Sequence, residues 1–267
     1  MAGLEFRVHK AGEIPSLKDG YLSLSSALGY DEGRAQSIWN FFYEKNPIGE
    51  LGAVTVRDGS RIVGCSFLHF SDLEGGDSRI RFALYTAAML LPSARVGPFT
   101  YISMINHLKQ LGNQGRARII IAFPNAMAVQ PLTRFGGFRR LHTGYFTRSR
   151  VSEGLLESAF AFKEKPLFLS SDHIQWRCSR KGLRQKEGWI LKDYEEEVNV
   201  LENLGEGAAP SELIHKDVVY PVWDPLEMEN RKPISDYRVN MCAFATDENG
   251  WEIASRLRPS LLLGDVV

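Results

Sequence analysis

Cysteine is scarce in this chain, which has three among its 267 residues: Cys65, Cys178 and Cys242. They lie far apart and form no CxxC pair, so their spacing fits neither a disulfide framework nor a cysteine-ligated metal site. Isolated cysteines of this kind are typical of reduced, buried side chains. The cysteine content therefore predicts a cytoplasmic protein without a bound metal ion.

Long apolar runs are also missing from the sequence. Runs such as Ile119–Phe123 and Leu261–Leu263 are far shorter than the roughly 20 residues of a membrane-spanning helix. Residues 1–6 lack the charged and then apolar layout of a signal peptide. We therefore expect neither a membrane span nor export.

Net charge is absent as well, since 32 Lys and Arg balance 32 Asp and Glu. This balance excludes a wholly basic nucleic-acid binder, and we expect no nucleic-acid partner. The charges are nevertheless uneven, because residues 79–150 contain no Asp or Glu. The basic residues of this acid-free window are Arg79, Arg81, Arg95, Lys109, Arg116, Arg118, Arg134, Arg139, Arg140, Arg148 and Arg150. One interpretation is a solvated basic face; the other is a site for cofactor phosphates, an acidic carrier protein or RNA.

The first 150 residues carry patterns typical of an α/β protein. Alternating apolar residues on both sides of the Asp58-Gly59 turn signal predict a β-hairpin. The nearly continuous apolar stretches 79–91 and 118–123 predict central strands that are buried on both faces. Helical spacing and the turn residues that follow it predict helices over 99–111 and 126–135.

Residues 151–267 are less regular, with strands expected over 189–191, 218–223 and 239–245. Trp39 and Trp176 each precede a predicted strand by a similar interval. Such an echo is the expected trace of a duplication. It raises the hypothesis that the C-terminal half is a faded second copy of the first.

Several motifs follow one another in a recognisable order. They are Asn46-Pro47-Ile48-Gly49, Ala53-Val54-Thr55-Val56, Ile62-Val63-Gly64, Leu90-Leu91-Pro92-Ser93-Ala94-Arg95-Val96-Gly97, Phe123-Pro124-Asn125 and Phe135-Gly136-Gly137-Phe138. In this order they resemble the GNAT superfamily of acyl-CoA-dependent N-acyltransferases. Asp172, Trp176-Arg177 and Gly264-Asp265-Val266 resemble more narrowly the long GNAT proteins associated with bacterial polysaccharide or secondary-metabolite biosynthesis.

The resemblance implies a fold and a domain organisation. The expected fold is α/β, a mixed and mostly antiparallel twisted sheet with helices on both faces. Residues 1–150 would form a GNAT-like acyl-CoA-binding domain. Residues 151–267 would form an α/β half that packs on it, with Trp176 and Arg177 in an acceptor pocket.

The loop after the first central strand is the predicted donor site. A strand, a Gly-containing loop and a helix N-terminus direct backbone N–H groups and the positive helix end at one point, which suits a pyrophosphate. The residues expected to bind acetyl-CoA or another acyl-CoA are Leu90, Leu91, Arg95, Val96, Gly97, Pro98, Phe99 and Asn125. The alternatives are an ordinary Pro/Gly connection for the loop and a helix N-cap for Asn125.

The sequence departs from the family at the catalytic acid. Many members carry a Tyr four residues before the Gly-Phe pair, where this chain has Thr133. A Thr hydroxyl is a far weaker acid than Tyr, whose pKa is about 10. The candidate replacements are Tyr145, His142 and Tyr85, and for each the alternative role is packing.

These features favour an N-acyltransferase that acts on the amine of a small molecule, such as an amino sugar or an amino acid. Two alternatives stay open. The acid-free window could dock an acyl carrier protein, whose surface is acidic, as the donor. The loop, in which Gly97 is the one firm match to the family pattern, and Thr133 also suit a catalytically weak or inactive GNAT-like binding or scaffold protein.

Overall fold

The computed structural model describes residues 3–47, 50–75, 78–95, 99–160, 168–180, 182–194, 197–204, 207–223, 231–236 and 238–257. Within these ranges the chain forms a 12-stranded mixed sheet with helices on both faces. None of the helices described there has the length and apolar character needed to span a bilayer. The α/β fold expected from the sequence is confirmed.

The first half of the chain contains both helices and strands, and strands dominate the second half. The strands are β1 (Glu5–Lys10), β2 (Leu51–Asp58), β3 (Arg61–Gly75), β4 (Ser78–Leu90), β5 (Ile119–Ala122), β6 (Arg139–Arg150), β7 (Phe168–Leu169), β8 (Leu183–Lys186), β9 (Trp189–Tyr194), β10 (Glu197–Asn203), β11 (Asp217–Val222) and β12 (Val239–Ala245). The α-helices are α1 (Lys18–Ala27), α2 (Glu32–Trp39), α3 (Phe99–Gln114), α4 (Ala126–Arg134), α5 (Leu155–Ala159), α6 (Ser171–Cys178) and α7 (Glu248–Ser255). A π-helix spans Asn40–Glu44, and 3₁₀-helices span Ala11–Leu17, Pro92–Ala94 and Ser211–Leu213.

The strand order places the last strand in the middle of the sheet. The order is β1-β2-β3-β4-β5-β12-β6-β11-β10-β9-β8, and β7 pairs with β3. The β4–β5 and β10–β11 pairs are parallel, and the other pairs are antiparallel. Because β12 lies between β5 and β6, the two halves of the chain share one sheet.

This order is pseudo-symmetric about the β12–β6 pair. Outward from the centre, β5, β4, β3 and β2 correspond to β11, β10, β9 and β8, and the two parallel pairs coincide. Each half of the sheet therefore includes a strand from the other half of the chain, because β12 lies beside β5 and β6 lies beside β11. The faded second unit is confirmed as a feature of the fold. The tryptophan echo aligns β9 with β2, however, whereas the strand order matches β9 with β3.

The two faces of the central strands pack against different helices. Tyr85 of β4 and Ile120 of β5 contact α3, and we call this side the α3 face. Leu84 and Ile121 point to the opposite side and join a cluster with residues of α6, α7, β9 and β10. We call this side the α6 face. The π-helix also covers the α6 face, because its Tyr43 stacks on Phe67, 4.2 Å between centroids, beside Thr86 of β4.

A third core fills the C-terminal half. It packs Trp189 and Tyr220 of the sheet against Leu156 of α5 and Leu213 of the Ser211–Leu213 helix. The indole N–H of Trp189 donates to the Ala208 carbonyl at 3.1 Å, so this buried polar group is satisfied.

Candidate functional site

An opening forms in the sheet where β4 and β5 separate. Their parallel pairing ends at Tyr85 and Ala122, after which β4 continues to Leu90 while the chain leaves β5 for α4. On the other side, β12 pairs with β5 only from Cys242 onward. The first residues of β12 therefore lie across this opening from the end of β4.

The backbone of β4 bulges beside this opening. Cys65 of β3 pairs with Met89 and Phe67 pairs with Thr86, so β4 has one extra residue in between. Ala87, within the bulge, has a φ of +50°, a left-handed conformation that is costly for a residue other than Gly. Because a bulge leaves its extra residue outside the ladder, the backbone N–H groups here can donate to a carbonyl oxygen in the opening.

The N-terminus of α3 lies at the mouth of the opening. Leu90, the last residue of β4, and Leu91 after it are buried, whereas Phe99, the first residue of α3, is 72% exposed. The Arg95 guanidinium donates to the Leu90 carbonyl from Nε at 3.2 Å and from Nη2 at 3.0 Å, which closes the turn after β4. The remaining predicted loop residues, Val96, Gly97 and Pro98, lie outside the described residues.

Asn125 begins α4 at the same edge of the sheet. Its side-chain oxygen accepts from the Ala128 backbone N–H at 3.0 Å, so Asn125 is the N-cap of the helix. Because β4 and β5 are parallel, the N-termini of α3 and α4 both face this edge. Two positive helix ends therefore adjoin one opening.

Of the candidate acids, Tyr85 is on a strand that borders the opening. Its hydroxyl accepts from Ser66 Oγ at 3.5 Å on the α3 face. Burial raises the pKa of Tyr85, and side-chain hydrogen bonds with Ser66 and Tyr101 partly oppose this shift. The hydroxyl therefore stays protonated at neutral pH. Thr133 donates to the Val129 carbonyl of its own helix at 2.9 Å.

Tyr145 and His142 lie on β6, which is separated from the opening by β12. The Tyr145 hydroxyl donates to the Arg231 carbonyl at 2.6 Å. The His142 Nε2 atom lies 3.0 Å from the Leu257 carbonyl oxygen, and burial lowers the pKa of His142. Both side chains therefore bind nearby backbone groups.

The α6 face carries a buried polar cluster close to the opening. Thr86 of β4 meets the Tyr43 hydroxyl, with 3.5 Å between the oxygens. His69 lies on β3, two residues after the Phe67 that pairs with Thr86. Its ring is 5.3 Å from the Tyr43 ring, and its Nδ1 is 3.2 Å from Asn46 Nδ2. The sequence alone assigns no role to His69, because its position near Thr86 follows only from the register of β3 against β4.

Helix α6 completes this cluster. Trp176 stacks on Phe41 at 4.9 Å, and the Arg177 guanidinium lies 4.7 Å from the centroid of Phe42. His173, one turn earlier, is linked to Ser71 of β3, with 2.9 Å between Nδ1 and Oγ. The structure thus brings the predicted acceptor residues Trp176 and Arg177 against the π-helix and β3. Within the described ranges, no three His, Cys, Asp or Glu side chains are grouped to hold a metal ion.

Several residues of the acid-free window pair with groups from other segments. Arg79 binds Asp72 at 2.7 Å and Arg81 binds Glu50 at 3.3 Å. Arg148 binds Glu197. Such exposed pairs contribute little to stability. They agree with the interpretation of a solvated basic face that acidic segments neutralise.

The second unit repeats the bulge but not the helix. The parallel pairing of β10 and β11 ends at Asn199 and Val219, and β10 then bulges at Leu201, between Val200 and Glu202. The bulge in β4 likewise begins two residues beyond Tyr85. Among the described residues between β10 and β11, the helical structure is the 3₁₀-helix Ser211–Leu213.

Comparison with known proteins identifies the fold. No protein-family model and no curated protein matches this sequence, whereas many solved structures do. A GCN5-related N-acetyltransferase from Kribbella flavida is 12% identical, with a TM-score of 0.58 over 92% of this chain and 72% of that one. A probable N-acyltransferase from Enterococcus faecalis is 9% identical, with a TM-score of 0.56 over 92% and 74% of the two chains.

A two-unit protein is also similar along its whole length. A tandem GNAT protein from the clavulanic acid biosynthesis pathway is 12% identical, with a TM-score of 0.52 over 92% of this chain and 99% of that one. Likenesses at such low identity establish the fold. The fold expected from the resemblance to the GNAT superfamily is confirmed, in a two-unit form.

Proposed function

We propose that this chain, which has a two-unit GNAT fold, transfers an acyl group from acyl-CoA to the amine of a small molecule. The observation that carries the proposal is the opening beside β5, bordered by the bulge at Ala87 and by the N-terminus of α3. Acetyl-CoA is the simplest donor, and amino sugars and amino acids are the proposed acceptors. Residues 1–150 would form the donor-binding domain, and 151–267 would supply β12 and α6.

The donor would lie with its charged end at the N-terminus of α3. The first-turn N–H groups and the helix dipole favour a pyrophosphate there. Leu90 and Leu91 would line the pantetheine arm, with Asn125 across the opening. The thioester carbonyl would accept from backbone N–H groups of the bulge, which would stabilise the oxyanion formed during transfer.

Acyl transfer then needs one proton to be supplied and one removed. The neutral amine attacks the thioester carbon, the C–N bond forms and the C–S bond breaks. The thiolate takes a proton from the Tyr85 hydroxyl, and the new amide loses one to water, from which Tyr85 is reprotonated. The Tyr85 hydroxyl is protonated at neutral pH and can supply this proton, but its raised pKa makes it a weaker acid than an ordinary Tyr.

Calorimetric titration of CoA and acetyl-CoA tests the proposal. Phe99 is 72% exposed, so Phe99→Asp and Phe99→Asn both leave the core intact. The added carboxylate would repel the pyrophosphate while it interacts favourably with the helix dipole. We expect micromolar binding by the wild type, at least tenfold weaker binding by Phe99→Asp, and little change for Phe99→Asn.

The same titration can refute the proposal. Absence of binding at millimolar CoA would rule out a CoA-dependent enzyme. Equal CoA affinities of Phe99→Asp and Phe99→Asn would mean that the α3 N-terminus is not part of the donor site. Binding of an acyl carrier protein without binding of CoA would support the other donor considered above.

A further inference from the structure

Two histidines below the opening each have one ring nitrogen with no hydrogen-bond partner. His69 is 3% exposed and His173 is 2% exposed, and each uses Nδ1, toward Asn46 and Ser71 respectively. Their Nε2 atoms are buried and unpartnered among the described residues. A buried polar group without a hydrogen-bond partner costs about 1–3 kcal/mol, so two such nitrogens in one cluster indicate that a ligand satisfies them.

The charge state of the cluster indicates which ligand fits. Burial, aided by the nearby Arg177 guanidinium, lowers the pKa of His69 to about 3 and lowers that of His173 as well. Both rings are therefore neutral at pH 7. Because Asn46 donates its amide N–H to Nδ1 of His69, the ring proton of His69 is on Nε2. An N–H donor beside a guanidinium favours an anionic oxygen ligand.

We propose that His69, His173 and Arg177 bind a carboxylate group of the acceptor substrate, with the Ser71 hydroxyl donating to Nδ1 of His173 so that Nε2 of His173 carries the ring proton. This inference rests on the proposed function, because His69 of the cluster pairs with Leu84 of β4, the strand that carries the bulge. His69 pairs with Leu84, three residues before Ala87, so the cluster is about 10 Å along the strand from the start of the bulge. The substrate is therefore an amine whose carboxylate is separated from the nitrogen by at least three carbon atoms.

The route from the opening to the cluster runs past Thr86 and Tyr43. Their hydroxyl oxygens are 3.5 Å apart, which makes a weak hydrogen bond that a ligand group can replace. On the other side, the stacked rings of Phe41 and Trp176 cover the cluster. An acceptor that enters from the opening would thus present its amine to the bulge and its carboxylate to the histidines.

Ring NMR signals of His69 and His173 provide a test that does not depend on turnover. Each would be assigned through its His→Gln variant, and the protein would be titrated with 5-aminopentanoate and with the uncharged 5-aminopentan-1-ol. We expect the carboxylate compound to shift both signals saturably and the alcohol to leave them unchanged. His69→Gln and His173→Gln should each weaken carboxylate binding at least tenfold. His9→Gln, which alters a buried histidine bonded to Thr55 on β1–β2, should not.

Either of two results overturns the inference. Signals that do not respond to the carboxylate would mean that the nitrogens contact water only, and equal responses to both compounds would mean that the carboxylate is not recognised. CoA titration of the same samples separates this from the proposed function. If CoA binds while the ring signals do not shift, the acyltransferase proposal stands and the carboxylate site is refuted. If the ring signals shift and CoA does not bind, the cluster binds a carboxylate and the CoA-dependent acyltransferase is refuted.

Discussion

The two units of the sheet contain the same backbone feature, a β-bulge, in different surroundings. In each, a parallel pair ends and the longer strand bulges two residues later, at Ala87 in β4 and at Leu201 in β10. After β4 the chain builds the 16-residue helix α3. After β10, the described residues instead contain a short 3₁₀-helix over a packed core with Trp189.

This difference distinguishes a feature that both units share, the bulge, from the features that acyl transfer would also need. A bulge provides unpaired N–H groups, but an anionic donor also needs a helix end and an accessible opening. The first unit has both. The second unit has kept the bulge, and it contributes β12 to the border of the opening in the first. We infer that the second unit acts as structural support for a site in the first.

The largest expected effect comes from the tryptophan at the centre of each unit. Trp39 and Trp189 are fully buried, and replacing either with Ala should lower the free energy of unfolding by about 3–5 kcal/mol. Because the units exchange β6 and β12, both variants should unfold in a single urea transition, followed by circular dichroism and by fluorescence. Two separate transitions in Trp189→Ala would show that the units are energetically independent.

A pair of tyrosine variants tests the assignment of the acid. Tyr85→Phe should lower kcat tenfold to a hundredfold with the Kd for CoA unchanged, because the thiolate then takes its proton from water. Tyr145→Phe should leave kcat within twofold. It should cost about 1 kcal/mol of stability, since the bond to the Arg231 carbonyl is lost. Thiol release measures the rate, and a reversed order of the two variants would move the acid to β6.

The buried histidines of the first unit predict a dependence of stability on pH. The unfolded chain binds a proton at His69 below its ordinary pKa of 6.5, whereas the folded protein does so only near pH 3. Stability should therefore fall as the pH decreases from 6.5, by about 1.4 kcal/mol per pH unit from this group. His173 acts in the same direction. Urea midpoints between pH 7 and 5 should decline less steeply in His69→Gln, and an unchanged slope would contradict this assignment.

The smallest effect, on CoA affinity, is expected in the second unit, where the described residues after β10 contain a short 3₁₀-helix in place of a counterpart of α3. Ser211→Asp places a carboxylate at the exposed first residue of the 3₁₀-helix, the counterpart of Phe99→Asp in the first unit. CoA affinity should change less than twofold, as calorimetry can show. A loss as large as that of Phe99→Asp would place a phosphate site in the second unit as well.

Much of the first unit could be predicted from local patterns. The predicted helix at 99–111 corresponds to α3, and the continuous apolar stretches 79–91 and 118–123 correspond to β4 and β5. These predictions succeeded because a strand that is buried on both faces needs apolar side chains at nearly every position. The N-cap interpretation of Asn125 is also confirmed by its bond to Ala128.

The pairing of the strands could not be predicted in the same way. The sequence over 239–245 predicts a strand, yet nothing local indicates that β12 lies between β5 and β6. The pairing of His69 with Leu84 and the position of the β4 bulge are likewise properties of register. Register is set by contacts between distant segments, so the polar cluster on the α6 face could be recognised only once the sheet was assembled.

The central position of β12 has a consequence for biosynthesis. On the ribosome, β5 and β6 emerge long before the strand that must join them, so the nascent first unit exposes two strand edges while residues 151–238 are translated. Unpaired edges are where chains aggregate, and long-range pairing slows folding. We therefore expect nascent chains stalled before β12 to depend on chaperones and chains that include β12 to be released from them, so that the proposed donor site is completed only after β12 has been translated.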